Sequence, residues 1–192
     1  MGARVFAVST ALMLFVCSNA FFGLSKTSVP KTNLEVELDK VFFEEGGSQT
    51  PLEDDEKEYF ISSTRFNFFT DEGVGGQIIV NKPQARYQAF TGEWVQAAGE
   101  VILQDEELGK SLFRHERGKF GTFQTEVLTF KIKDEESTVY STMLLIGGEN
   151  EIIIFALANE ESDKEASKHH KAIYQSLVYK GKELTDLKEV KS

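Results

Sequence analysis

Three histidines, His115, His169 and His170, are the side chains of this 192-residue chain most suited to proton transfer or metal binding. Imidazole takes up a proton near pH 6.5 and is a common zinc ligand. Glu165 precedes His169 by one helical turn, so a helix would set both on one face. His169 and His170 themselves would point about a quarter-turn apart, too far for both rings to reach one ion. No metal site is therefore expected. A serine hydrolase would carry its nucleophile on a strained turn such as G-x-S-x-G, and that motif does not occur. Carboxylates are plentiful, and a pair of them can perform acid–base chemistry. Here they lie in polar runs that read as solvated. Glu53-Asp54-Asp55-Glu56 lacks the turn glycine of a calcium loop, and Asp71–Gly76 (DEGVGG) lacks the Lys-Ser/Thr pair of a phosphate loop. Tyr87, Phe90 and Trp94 recur at i, i+3, i+7. They are candidates to line an apolar ligand pocket, or else the core face of a helix. No catalytic residue, cofactor or metal is expected.

The charge balance is 21 basic against 31 acidic residues, a net of −10. An acidic chain repels phosphate backbones, which argues against nucleic acid and against docking on anionic membranes through a basic face. Arg4 is the only charge in residues 1–20. Val5–Cys17 is a continuous apolar run, too short to span a bilayer, and Ser18-Asn19-Ala20 ends it with small residues. That is the pattern of a secretory signal peptide cleaved after Ala20, giving a protein exported to the periplasm or the extracellular space. Cleavage would remove Cys17, the one cysteine, and with it any disulfide, thiolate or cysteine metal site. Two alternatives are a lipoprotein acylated at Cys17 and the first part of a plastid-lumen address.

The remaining elements follow from periodicity and turn chemistry. Residues 21–58 comprise a lead, a strand over Asn33–Phe43 with an acidic face, and an exposed loop over Glu44–Glu58. A single α/β domain is assigned to residues 59–180. Tyr59–Thr70 and Gln77–Asn81 flank a turn. Lys82–Leu112 is helical, with a stripe through Trp94, Ala97, Ala98, Val101, Ile102 and Leu108; Thr91 caps its second part. Arg114, His115 and Arg117 form a small basic patch. Phe123–Lys133, Thr138–Ile146 and Glu151–Ala158 form a three-stranded antiparallel meander around Asp134–Ser137 and Gly147–Asn150. Its first strand alternates Leu128, Phe130, Ile132 with Thr129, Lys131, Lys133, implying one wet face. Its last strand, with Ile154, is apolar on both sides and needs cover on both. Ser162-Asp163-Lys164-Glu165 is a capping box for a helix running to about Tyr179, pinned by Ile173 and Leu177 and ended by Gly181. Residues 181–192 are a charged tail.

This order of elements resembles the PsbP-like and DcrB-like family. The resemblance rests on Gly121–Lys133, Val139–Ile146, Gly148–Ala158 and Ala172–Val178 and covers Phe66 to Tyr179. It implies an α+β fold, a central antiparallel sheet with helices packed on both faces as an α/β/α sandwich. It also implies a small exported accessory factor without catalysis. Two functions follow: a non-enzymatic exported protein that binds another protein, or a binder of a small, lipid-like apolar ligand held between sheet and helix.

Overall fold

The computed structural model describes residues 27–29, 32–36, 41–43, 47–70, 75–133, 138–159 and 163–190. The expected cleavage site, Cys17 and the expected cap Ser162 lie outside the described residues. Among the described residues four short strands come first: β1 (Thr27–Ser28), β2 (Leu34–Val36), β3 (Val41–Phe43) and β4 (Ser48–Thr50). The long strands β5 (Phe60–Thr70) and β6 (Gly75–Pro83) follow as a hairpin. A 3-10 turn (Ala85–Phe90) leads into helices α1 (Thr91–Gln104) and α2 (Glu106–Ser111). Then come β7 (Leu112–Phe120), β8 (Phe123–Lys133), β9 (Thr138–Gly147) and β10 (Ile152–Asn159). Helix α3 (Asp163–Gln175) precedes β11 (Leu177–Tyr179) and β12 (Lys182–Glu189).

The strands among the described residues make one antiparallel sheet, in the order β1-β2-β11-β12-β7-β8-β9-β10-β6-β5-β3, with β4 beside β5. β2 and β3 stand nine places apart in that order, which on a flat sheet would separate them by about 43 Å. Yet Val36 and Val41 are five residues apart in sequence, and a chain of that length reaches at most about 18 Å. The sheet must therefore curl into a half-barrel. Its concave core confirms the curl: Leu34 of β2, Leu177 and Tyr179 of β11, Phe68 of β5 and Phe155 of β10 belong to one buried cluster. Phe68 and Phe155 stack with centroids 5.0 Å apart.

The expected α/β/α sandwich is overturned by this topology. On the convex face, α1 does cover the sheet, with Val95 and Ile102 packed on Leu128, Phe130, Met143 and Leu145. On the concave face the sheet covers itself. Among the described side chains α3 adds only Ile173 and Tyr174 to the core there, while β2, β11 and β12 supply the rest of the lid. The helix expected to run to about Tyr179 ends at Gln175, and Leu177 and Tyr179 are strand residues, fully buried. Gly181 does not end a helix. With Lys180 (φ 51°) it forms the two-residue turn of the β11–β12 hairpin, where Gly181 has φ 69°. Positive φ at both central residues defines the type I′ turn that suits the twist of paired strands. The expected charged tail is thus largely strand β12, with Leu184 and Leu187 packed on the concave core.

Several smaller expectations are corrected as well. Thr129 is 3% exposed, and its hydroxyl meets that of Thr142 at 3.1 Å across β8 and β9. Ile154 is only half-buried and packs on the convex cluster. Of the expected stripe, Ile102 is buried and Trp94, Ala98 and Leu108 pack half-buried on the convex cluster, while Ala97 is exposed; the most buried positions of α1 are Thr91, Val95, Gly99 and Ile102. Thr91 does not cap the helix. Its hydroxyl donates to the carbonyl of Gly148 at 2.5 Å and ties α1 to the β9–β10 turn. Asp105 makes the break between α1 and α2, accepting from the N–H groups of Glu107 and Leu108, both at 3.0 Å. The strand expected over Asn33–Phe43 is represented by the separate β2 and β3, which pair with opposite ends of the sheet.

Candidate functional site

Two adjoining surface features stand at the end of the half-barrel where β5 begins and β6 ends. The first is aromatic. The 3-10 turn and the first turn of α1 bring Tyr87 and Trp94 together, with ring centroids 5.0 Å apart. Tyr59 joins them at 5.5 Å from Tyr87 and 5.9 Å from Trp94, and Phe60 meets Trp94 edge-on at 5.7 Å. Phe90, expected beside them, stands out from the surface at 46% exposed, because the chain changes from 3-10 to α geometry there. The guanidinium of Arg86 lies 4.8 Å from the Tyr87 ring centre, a cation–π arrangement. Beside it is an open hollow of about 460 Å³ lined by Lys57, Glu58, Gln84, Ala85 and Arg86.

The second feature is a cleft of about 270 Å³, lined in part by Ile61, Pro83, Gln88, Glu151, Tyr179 and Lys180. Ile61 and Gln88 are near neighbours in sequence of Tyr59 and Tyr87. Glu151 is 6% exposed and Tyr179 is fully buried. The Tyr179 hydroxyl donates to Glu151 Oε1 at 2.9 Å. Burial, and then the negative charge of Glu151, push the Tyr179 phenol well above its ordinary pKa, so it stays a donor. Gly148 permits this approach. A Cβ there would lie 2.2 Å from the Tyr179 oxygen, and only hydrogen fits. At the rim Lys180 pairs with Glu149, whose carboxyl it holds below the usual range through a hydrogen bond and charge.

The titratable residues singled out in the sequence lie elsewhere. His115 and Arg117 project beneath α1, where both bind the carboxylate of Glu126; the Arg117 Nε–Oε1 distance is 2.6 Å. Glu126 is 1% exposed, and Gly99 lets the helix settle on its side chain, a Cβ there being 3.3 Å from Glu126 Cγ. Arg114 projects to the other face, near Glu116, so the expected basic patch is divided between the two sides of β7. Glu116 accepts from the Tyr174 hydroxyl at 3.0 Å. His170 is 1% exposed, and its Nδ1 lies 2.8 Å from the Thr142 hydroxyl. Burial, and then the neighbouring His169, lower its pKa to about 4. His169 is half-buried, and the Glu165 side chain lies outside the described ones. No cluster of three metal-ligating side chains occurs among the described residues.

Sequence reasoning missed Glu151 and Tyr179. Glu151 passes for the polar first residue of a strand, and Tyr179 for the last residue of a helix. The available signal was Leu177-Val178-Tyr179, which alternates as a strand and is followed by Lys-Gly, a two-residue turn.

No family model matches the chain, and no curated protein does. Among solved structures, a crystal structure of a Bacteroides thetaiotaomicron protein aligns with 81% of this chain at 13% identity and a TM-score of 0.46. The chain spans about half the length of that protein, 48% of which is covered.

Proposed function

We propose that this is an exported, non-enzymatic protein whose role is to bind another protein. The observation that carries this reading is the aromatic patch. Tyr59 is 38% exposed, and Tyr87, Trp94 and Arg86 cluster with it; Phe90, 46% exposed, stands out from the surface four residues before Trp94 in the chain. Tyr, Trp and Arg dominate binding hot spots, since rigid rings offer large contact area at small entropic cost. A fold of this size can bury such rings, so a cluster left at the surface favours contact with a partner. The titratable groups beside α1 favour binding over catalysis, because the buried Glu126 and His115 and the half-exposed Arg117 are engaged with one another. Export rests on the N-terminal leader.

Site-specific photocrosslinking in the exporting cell tests this. A photoreactive residue at Phe90 should capture one discrete protein, and Tyr59→Ala with Trp94→Ala should abolish the product. The same residue at exposed Lys188, on β12, should not capture it. Equal products from both positions, or none from Phe90, would refute the reading.

A further inference from the structure

We infer that the 270 Å³ cleft beside the aromatic patch binds an organic cation, an ammonium or guanidinium group on a short aliphatic stem. This does not rest on the protein-binding role of the patch. The reasoning starts from Glu151. A carboxylate removed from water is costly unless matched by positive charge or by enough hydrogen bonds. Glu151 is 6% exposed, and its one side-chain partner among the described residues is the uncharged hydroxyl of Tyr179. Two lysines reach the cleft: Lys180 is engaged by Glu149 at the rim, and the exposed Lys82 makes no ion pair with Glu151 among the described residues. Yet Glu151 lines an open cleft, so a charge brought from outside can reach it.

The other walls fit the same ligand. Ile61, 60% exposed, and the buried Pro83 offer apolar contact to a stem. The Gln88 side-chain carbonyl offers a second acceptor for N–H groups. Tyr179, held by Gly148 from behind, fixes the orientation of the Glu151 carboxyl before any ligand arrives. Preorganised acceptors of this kind spare the cost of ordering them on binding. The chain's net charge of −10 draws cations toward it. Lys82, exposed at the cleft, adds a positive group that favours a cation also carrying a carboxylate, as a free amino acid does.

The test is a titration of the purified protein with n-butylammonium, n-butylguanidinium, arginine and a lysine-containing tripeptide, followed by amide chemical shifts. Butyrate is the control for the stem alone. Saturable shifts confined to the cleft, around residues 33, 61, 82–88, 148–151 and 179–180, are expected with the cations and not with butyrate. Glu151→Gln should weaken binding by about tenfold or more while the protein stays folded, since a neutral amide cannot match the charge. Tyr179→Phe should weaken it less. Tightest binding by arginine would assign a free amino acid as the source, and tightest binding by the tripeptide a peptide side chain; either supports the site. Two results would overturn the proposal: no saturable shifts with any cation at millimolar concentration, or binding that Glu151→Gln leaves unchanged. Should Glu151→Gln fail to fold, competition of butylammonium by salt and protection of the cleft amides in the wild type give the same decision.

Discussion

Tyr179 and Glu151 meet through a 2.9 Å hydrogen bond although five strand spacings separate β11 from β10 along the sheet. Laid flat, those spacings would amount to about 24 Å. The bond therefore exists only in the curled sheet and helps hold it curled.

Two substitutions test that bond. Tyr179→Phe removes the donor and leaves a buried carboxyl short of its partner, so it should cost about 1–3 kcal/mol. Gly148→Ala drives a methyl into the Tyr179 hydroxyl, and overpacking of this kind costs about 1–3 kcal/mol. Because both act on one contact, the double variant should lose less than the sum of the two. Urea denaturation of all three decides it, and full additivity would show that the contact is not shared.

Stability should depend on His170 in mildly acidic solution. Its pKa falls from 6.5 to about 4 on folding, so the unfolded chain binds the extra proton between those values. Stability then rises with pH across that window, is complete above about 6.5, and is lost as pH falls toward 4. The contribution is at most about 3 kcal/mol at 1.36 kcal/mol per pH unit. Glu149 and Asp186, whose carboxyl pKa values are lowered, lose stability in acid as well. The difference between wild type and His170→Gln isolates the histidine. The variant keeps a side chain able to bond Thr142, and its stability should fall less between pH 6.5 and 4. Parallel pH profiles would contradict the burial of a neutral imidazole.

Removing residues 181–192 should be severe. The cut takes away Leu184 and Leu187 from the concave core and bares the edges of β7 and β11. Loss of cooperative unfolding, or aggregation on purification, is the expected result. A truncated protein with a wild-type melting temperature would restore the view of this segment as a tail.

Position in the third meander strand should matter sharply. Leu157 is 1% exposed within the concave cluster, and Leu157→Ala should cost about 2–5 kcal/mol. Ile154 lies on the convex face and is only half-buried, so Ile154→Ala should cost less. Chemical denaturation of the two variants side by side provides the comparison.

Much of the sheet could be read from the chain, because local patterns encode it. β8, β9 and β10 lie where alternation and turn residues put them, and so does the β5–β6 hairpin. What escaped was long-range pairing. Leu34-Glu35-Val36 alternates as a strand, but nothing in it says that it pairs with Leu177–Tyr179, far along the chain. Lys182–Glu189 is mostly charged, and its two leucines are three apart because the register shifts between Thr185 and Lys188, with Asp186 at φ 56°. That spacing hides the period of two. Of the candidate pocket residues, Tyr87 and Trp94 do come together, whereas Phe90 turns away at the junction of two helical geometries. The cleft was invisible because its walls, Ile61, Gln88, Glu151 and Tyr179, come from four separate stretches joined only by the curl.

The short strands β2 and β3 have a consequence for the order of assembly. Each pairs with a strand at a different end of the sheet, β2 with β11 and β3 with β5. Both ends must be in place before the two can be paired at once, so their joint docking depends on the finished curl. Until then β5 and β11 present unpaired N–H and C=O groups, the template on which sheets of separate molecules join. One short strip of chain thus covers β11 and the far end of β5, with β4 covering another part of β5, and losing the strip would bare both ends of the sheet together.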